Sequence, residues 1–296
     1  MKLRIFRVIV CLTRISCLLF PGLHAFAQEI EPRAYSNAPI GINFLGLGVA
    51  QAKSSTYSMS SEVLGYTHIF DVAGQSAKLN FVLPYAELSG SANYGSKIIS
   101  GQTDGMTDPK VKVAVNLFGA PALSVEEFKN YQQDLIIGAS LAASIPWGKY
   151  DNSQLINLGA NRWYFQPGIG ASKAIGPWRL ELSGAATIFT NNNSFYGNNT
   201  FSQSPIYSSE GHVIYYFQNT AWLSFDATYF TGGQSAINGQ WINNYQENWR
   251  FGTTLSIPID KKNSVKVYGS TGVFARTSSN YDLLGIAWQY RWGSGL

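Results

Sequence analysis

Apolar and polar residues alternate with a period of two along much of the chain. From residue 110 to 117, lysine, alanine and asparagine alternate with valine and leucine, and residues 135–145 and 223–229 repeat the pattern. Successive side chains of a β-strand point to opposite faces, so this period predicts strands with one apolar and one polar face. A soluble β-sandwich would show the same period in any single strand, but its repetition along the chain favours a larger sheet.

Turn signals divide the chain into twelve predicted strands. They cover residues 40–52, 60–70, 76–89, 107–118, 134–146, 161–173, 177–190, 204–217, 220–231, 247–259, 263–276 and 281–292. Tight turns (71–75, 174–176, 218–219 and 260–262) alternate with longer polar connections (90–106, 147–160, 191–203 and 232–246). Short turns on one side, long loops on the other and an even strand number are typical of outer-membrane barrels. We therefore predict an all-β fold, a closed antiparallel transmembrane β-barrel of about 12 strands.

One connection on the short-turn side carries a helix signal. Ser124 and Glu127 have the spacing of a capping box, in which each side chain binds the backbone of the other residue. A short periplasmic helix is predicted here. It would be either a plug or rim element at the barrel mouth or a plain surface helix.

The N-terminus has the pattern of a signal peptide. Basic residues come first (Lys2, Arg4, Arg7 and Arg14), an apolar stretch begins at residue 15, and the small residues Ala25 and Ala27 flank Phe26. The apolar stretch is too short for a transmembrane helix, and the alternative is a buried N-terminal helix. We predict a signal peptide over residues 1–27 and an outer-membrane β-barrel over residues 28–296. Both cysteines, Cys11 and Cys17, fall in the predicted signal peptide, so the mature chain would have no disulfide.

Composition and charge narrow the class further. Charged residues make up only 13% of the chain and aromatic residues 14%, which suits strands with one lipid face and one wet face. Cleavage would remove four of the 21 basic residues and leave 17, equal to the 17 acidic ones. A neutral mature chain gives no support to nucleic acid as a partner. The predicted location is the outer membrane of a Gram-negative-type cell, with lipid, lipopolysaccharide and the barrel assembly machinery as partners.

Several longer motifs resemble a known family. They lie at residues 31–39 (EPRAYSNAP), 108–109 (DP), 116–123 (NLFGAPAL), 146–151 (PWGKYD), 157–163 (NLGANRW) and 287–292 (AWQYRW). Together they resemble the family named for the putative MetA pathway of phenol degradation, a group of proposed outer-membrane transporters. The resemblance covers nearly all of the mature chain and implies an outer-membrane location and a transport role. One departure is the end of the chain, where residues 293–296 follow Trp292 although such barrels often finish on an aromatic residue.

Strand parity selects the residues of a candidate solute path. If the apolar set faces lipid, the lumen receives charged side chains, because an ion in hydrocarbon would cost a few kcal/mol at the midplane. The predicted path consists of Lys110, Lys112, Arg162, Arg179, Glu181, Glu210, His212, Asp226, Arg250, Lys266, Arg276 and Arg291. Arg162 and Arg250 fall near loop-side strand ends, where a constriction is expected, and Arg33 could fold into the periplasmic mouth. The excess of basic residues favours anions or electron-rich polar solutes.

These residues predict passive uptake of small solutes, aromatic compounds among them, through a narrow pore or a plugged barrel with a gated path. Pairing of the same charges across a closed, purely structural barrel is the simplest alternative, and the Asn-rich loop 191–199 would suit an adhesive one. Most aromatic residues near strand ends are expected to form the membrane-interface girdle: Trp147, Trp163, Trp178, Trp222, Trp249 and Tyr290.

The rival from another class is a membrane-embedded lipid hydrolase. It would need a nucleophile beside a histidine, and the mature chain has only His68 and His212. Glu210 lies beside His212 on the inward face, which suits a salt bridge better than lipid chemistry. The sequence contains neither a Gly-x-Ser-x-Gly elbow nor a His-Glu-x-x-His site. We therefore expect no enzyme activity, no catalytic residues, no cofactor and no metal.

Overall fold

The computed structural model describes residues 32–94, 97–275, 280–293 and 295. The predicted signal peptide with Cys11 and Cys17 lies outside the described residues, as does Arg276. Among the described helices, none is long and apolar enough to cross a membrane.

The described chain is almost entirely β. Its strands are β1 (Asn43–Lys53), β2 (Tyr57–Val72), β3 (Gln75–Tyr94), β4 (Lys97–Met106), β5 (Lys110–Phe118), β6 (Leu135–Ser144), β7 (Tyr164–Ile175), β8 (Trp178–Phe189), β9 (Asn192–Phe195), β10 (Asn199–Gln203), β11 (Ile206–Tyr216), β12 (Trp222–Gly232), β13 (Ser235–Ile237), β14 (Gln240–Trp241), β15 (Gln246–Pro258), β16 (Asn263–Ala275) and β17 (Asp282–Trp292), with one short helix, α1 (Val125–Phe128).

Antiparallel pairing of successive strands closes the sheet into a barrel. The order runs β1, β2, β3, β5, β6, β7, β8, β11, β12, β15, β16 and β17, and β17 pairs with β1 along its whole length. This confirms the predicted closed barrel of twelve antiparallel strands. Closure satisfies the backbone donors and acceptors that an open edge would expose to hydrocarbon.

The fourth position of the barrel holds an interrupted strand. Residues 77–82 of β3, on the side of the short turns, pair with β5, and residues 85–94, on the side of the long loops, pair with β4. Between β4 and β5 stand residues 107–109, where Pro109 has no backbone N–H to continue the ladder. The predicted polar connection 90–106 thus contains paired strands, because β3 and β4 extend the ladder on the loop side.

The other two long loops with strands form a separate four-stranded sheet of β9, β10, β13 and β14. These strands lie within the predicted polar connections 191–203 and 232–246. Asn238 and Gly239 both have positive φ, 50° and 78°, and connect β13 to β14. An Asn-Gly pair is the strongest short-range signal for a two-residue hairpin turn, so the sequence did carry this information.

The predicted helix is present and belongs to the surface. The Ser124 side chain accepts from the Glu127 backbone N–H, and the Ser124 backbone N–H donates to Glu127 Oε2 over 2.9 Å. None of the helix residues is buried, so α1 is a surface helix and does not plug the barrel.

Burial along the strands separates an inner from an outer face. In β8, Leu182 is 65% exposed, whereas the neighbouring Glu181 is 7% exposed. Large apolar side chains on the outer face of other strands include Leu141, Ile169, Phe225, Phe251 and Leu284. In a barrel of this class the exposed apolar face meets lipid and the polar face lines the lumen.

Candidate solute path through the barrel lumen

A polar chamber of about 180 Å³ lies inside the barrel. Lys110 and Lys112 reach it from β5, and Glu210 from β11 on the opposite wall. Further side chains that line it are Tyr35, Asn80, Ser140, Tyr164 and Gln166. Two lysines against one glutamate leave this set with a net positive charge at neutral pH.

The N-terminal segment, residues 32–42, closes the chamber on the periplasmic side. The Arg33 backbone N–H donates to Glu181 Oε2 over 2.7 Å, and the Ser36 hydroxyl lies 3.4 Å from the other oxygen of that carboxylate. Lys78 Nζ donates to the carbonyl oxygens of Arg33 and Ala34 over 3.1 and 2.9 Å. The segment is therefore held by inward side chains of β3 and β8.

Tyr35 belongs to this segment, and its side chain is buried. Its ring lies against Gly138 of β6 and Gly170 of β7, and its hydroxyl is 3.3 Å from Ser140 Oγ. Ala120 and Ile136 complete the small apolar cluster around it.

Cations and aromatic rings alternate at the periplasmic mouth below this segment. The guanidinium of Arg33 lies 5.6 Å from the ring of Tyr216 and 5.4 Å from the ring of Trp222. Arg179 stacks on Tyr216 at 5.3 Å, and Lys266 Nζ lies 5.9 Å from Trp222. Cation–π contact stabilises such a layer without a carboxylate for each cation.

Trp222 is thus a lumen residue and is an exception among the aromatic residues near strand ends, most of which were expected in the girdle. It is buried at the start of β12 with inward parity. Trp147 is 74% exposed in the β6–β7 connection, outside any strand. Trp163, Trp178 and Trp249 lie exposed near strand ends, in keeping with a girdle.

Arg291 lies near the periplasmic turns, where its Nε donates to the Lys261 carbonyl.

A buried network of carboxylate and hydroxyl groups surrounds His212 inside the barrel. Its Nδ1 lies 2.8 Å from Asp226 Oδ1, and its Nε2 lies 3.7 Å from Glu210 Oε2. Asp226 accepts a further bond from the Ser224 hydroxyl over 3.0 Å. Ser224 donates to the carboxylate rather than to the histidine, so the described groups do not have the nucleophile–base geometry of a hydrolase.

His68 has a different environment on the outer face near the tight turn. Its Nδ1 lies 2.8 Å from Asn43 Oδ1, and its ring stacks on Phe70. Neither contact supplies a nucleophile. Within the part of the chain that the structure describes, no group of three histidine, cysteine or acidic residues could hold a metal ion.

Arg162 is buried at the loop side of the lumen. Its guanidinium lies between the rings of Phe189 and Phe201, 4.5 and 4.8 Å from their centroids, and donates to Gln203. Burial lowers the pKa of Arg162 to about 9, and the carboxylate of Asp108 opposes that shift. The side chain is therefore charged at neutral pH and joins the barrel wall to β10.

Arg250 is held on the same side of the barrel. Its guanidinium carbon lies 3.6 Å from the ring centroid of Tyr281, one Nη donates to the Tyr281 carbonyl, and the other donates to Ser270 Oγ over 2.7 Å. The expectation that Arg162 and Arg250 lie near the loop-side ends agrees with these positions. Both side chains are held by several partners, which makes them fixed parts of the wall.

An apolar cluster lies on the loop side of the lumen, against the first strands. Ile156 and Leu158 from the β6–β7 connection pack with inward residues of the first strands: Ala52, Tyr57, Met59, Ala86 and Leu88, together with Tyr281. Asp108 anchors this connection at both ends, because its carboxylate accepts from the backbone N–H of Gly148 and of Ala160 over 2.8 and 2.7 Å. Burial raises the pKa of the Asp108 carboxyl despite these bonds.

The parity argument missed the residues that close the path. Ten of the predicted set are inward strand residues and Arg162 lies at a loop-side strand end. Tyr35, Lys78 and Asp108 were not selected, although Tyr35 and Asp108 stand in the quoted motifs. Parity reports which face a strand residue occupies, so it gives no information on Tyr35 and Asp108, which lie outside the strands. Lys78 is an inward residue of β3, but its partners in the N-terminal segment lie outside the strands.

A closed, lipid-exposed barrel with a constricted polar lumen defines an outer-membrane β-barrel with a channel fold. The chain belongs to the family described as Putative MetA-pathway of phenol degradation, whose model matches residues 47–291. This confirms the resemblance seen in the motifs.

One solved structure supports the fold, and a second is reported for comparison. The COG4313 outer membrane channel from Pseudomonas putida F1 is similar with a TM-score of 0.77 and 18% identity, over 89% of this chain and 100% of that chain. A KdgM porin has a TM-score of 0.45 and 10% identity, over 83% of this chain and 98% of that chain. No curated protein matches the sequence.

Proposed function

We propose that this protein is a passive outer-membrane channel for small solutes, aromatic compounds among them. The observation that carries the proposal is the polar chamber of about 180 Å³ between the N-terminal segment and the loop-side cluster. A buried cavity of about 150 Å³ is large enough for benzene. The chamber therefore has room for one small aromatic ring, and its wall offers amide, hydroxyl and ammonium groups to polar substituents.

Segments that lie outside the barrel strands occupy the lumen on both sides of the chamber. Residues 32–42 lie on the periplasmic side, and Ile156 and Leu158 lie on the loop side. Such segments move on a faster timescale than a barrel wall, whose strands are tied by continuous ladders. We infer a gated path, in which a solute passes when these segments shift.

The charge of the path favours anions and electron-rich solutes. Lys110, Lys112, Arg33, Arg179 and Lys266 outnumber the carboxylates of Glu181, Glu210 and Asp226 along the lumen. In a narrow space of reduced dielectric, these charges act over a longer range than in water.

The proposal includes the expectations about processing and partners. The chain would be cleaved after Ala27, assembled by the barrel assembly machinery and surrounded by lipid and lipopolysaccharide, without a nucleic-acid partner. A role as an enzyme is disfavoured because His212 is engaged by two carboxylates and His68 by an amide.

Planar-bilayer recording of the purified protein tests the channel. We expect a small ion conductance in the wild type and a several-fold larger one when residues 32–38 are deleted, because the deletion removes the periplasmic closure. The single change Ser36→Ala is the matched control, since it removes one weak contact and leaves the segment in place. Folded barrels without current in all three variants would contradict the channel and support the structural-barrel alternative.

A further inference from the structure

Two glycines form a gap in the inner wall of the barrel. Gly138 of β6 and Gly170 of β7 are direct partners in the antiparallel ladder and both face the lumen. Neither position has a side chain of its own, and the ring of Tyr35 fills the space, with Asn116 and Ser183 next to it. A Cβ at Gly138 would lie 2.4 Å from Tyr35 Cδ1, and one at Gly170 would lie 2.3 Å from Tyr35 Cε2. We call this gap the glycine notch.

The notch holds the ring of Tyr35 and also a partner for its hydroxyl. Ser140 occupies the next inward position of β6, opposite Gly168 of β7, and its Oγ lies 3.3 Å from the Tyr35 hydroxyl. Both Ser140 and Gly168 line the chamber. The aromatic ring thus lies against bare backbone, and its hydroxyl points along the wall toward the chamber.

We propose that the glycine notch is a binding site for a small hydroxylated aromatic ring, with phenol as the smallest example. Tyr35 occupies the site in the closed channel, and a solute that passes through the chamber takes its place. This inference rests on the proposed channel function and names a substrate class for it. A flat ring fits a wall without side chains, and the Ser140 hydroxyl supplies the hydrogen bond that distinguishes a phenol from a hydrocarbon.

The N-terminal segment can stay in place while the ring leaves. Its other anchors use the Arg33 backbone, the Ser36 hydroxyl and the carbonyl oxygens bound by Lys78, none of which involves the Tyr35 ring. The chamber next to Tyr35 offers space into which the ring can turn. Exchange of one side chain for a solute is therefore a local event.

The ring of Tyr35 is linked through the chain to a segment that is fixed beside the notch. This link determines the concentration of free solute that is needed to displace the ring. A group linked to its site through a short chain acts at an effective concentration of about millimolar or more. Free phenol should therefore bind the wild type only at high concentration. Removal of the tethered ring should expose the same site to much lower concentrations.

Planar-bilayer recording with phenol as the probe tests the site in three full-length proteins: the wild type, Tyr35→Ala, and Tyr35→Ala combined with Gly138→Ala. We expect phenol to reduce the current of Tyr35→Ala with a half-effective concentration at least tenfold lower than in the wild type. The Gly138 Cβ fills the notch, so the double variant should lose this sensitivity. Of the three atoms nearest to a Cβ at Gly138, two belong to Tyr35 and the third is Asn116 Oδ1 at 2.9 Å, so Tyr35→Ala removes most of the clash. Cyclohexanol, which has the hydroxyl without the aromatic ring, should act weakly in all three.

The outcomes separate the site from the channel. Equal phenol sensitivity in the single and double variants overturns the site while the ion current still supports a channel. Loss of ion current in every folded variant contradicts the channel itself. Ligand-observed NMR of phenol with the wild type and Tyr35→Ala in detergent gives a second measurement that needs no double variant. Equal phenol binding by these two proteins would also overturn the inference.

Discussion

At the scale of single residues, the two faces of each strand meet different environments, with lipid outside the barrel and polar groups inside it. Leu180 and Leu182 point outward from β8, while Glu181 between them accepts three hydrogen bonds inside the barrel. A shift of the strand by one position would turn Glu181 toward lipid, because successive side chains point to opposite faces. Such a shift would cost several kcal/mol, since the carboxylate would enter hydrocarbon unpaired. The alternation of apolar and polar residues in the sequence follows from this difference between the two faces.

Substitutions on adjacent positions of β6 test the two faces. Leu141→Arg should impair assembly strongly, because arginine on the lipid face costs about 2–4 kcal/mol near the midplane. Ser140→Arg should assemble with a yield close to that of the wild type, since its side chain lies in the wet chamber. The folded fraction is measured by heat-modifiable migration on gels. Equal losses in the two variants would mean that the inner and outer faces are assigned the wrong way round.

Residue-scale reasoning from the sequence found the inward charges but not their partners. Arg250 was placed by parity, yet its position over Tyr281 depends on a residue 31 positions later in the chain. Trp222 has the residue type of a girdle and the parity of a lumen wall, and parity decided its place. A residue type alone therefore did not separate the lipid interface from the lumen.

At the scale of elements, the strands followed from the sequence and several loops did not. The twelve barrel strands can be recognised in the sequence because each must expose one apolar face to lipid for most of its length. The strands β4 and β9 lie beyond that constraint, so polar residues are tolerated on both faces and the period-2 signal is lost. The Asn238–Gly239 turn is a local signal that survives outside the membrane.

The β6–β7 connection depends on one carboxylate, which gives a graded prediction. Asp108→Ala leaves the backbone N–H groups of Gly148 and Ala160 without their acceptor, at a cost of about 1–3 kcal/mol each. We expect the connection to detach, with faster proteolysis of residues 145–163 and a larger ion conductance. Asp108→Asn keeps an acceptor oxygen and should fall between the wild type and Asp108→Ala. If Asp108→Ala is as resistant to protease as the wild type, Asp108 does not anchor this connection.

At the scale of the whole molecule, charge is segregated between the lumen and the rest. The predicted mature chain is neutral by count, with 17 basic and 17 acidic residues, yet the chamber carries two lysines against one glutamate. Acidic residues such as Asp134, Asp260 and Glu126 lie instead on exposed turns and on the helix. Net charge therefore gives no indication of the field that a solute meets.

This segregation predicts the ion preference. Lys110→Gln with Lys112→Gln removes both lysines from the chamber and leaves Glu210, so the reversal potential in a salt gradient should shift toward cation selectivity. The control is Lys173→Gln, which removes an exposed lysine paired with Asp134 at the periplasmic turn side and should leave the reversal potential unchanged. An unchanged potential in a folded double variant would show that the two lysines do not act on permeating ions.

The pairing of β1 with β17 has a consequence for the kinetics of assembly. It brings Asn43 opposite Trp292, so the ladder that completes the cylinder cannot form before the last strand has been synthesised. Until then both ends of the sheet are open templates for strands of other chains. The entropic cost of joining such distant segments rises only logarithmically with their separation, but the search takes time. The half-built sheet is therefore the form of this protein most exposed to aggregation, and its lifetime is set by the rate at which β17 reaches β1.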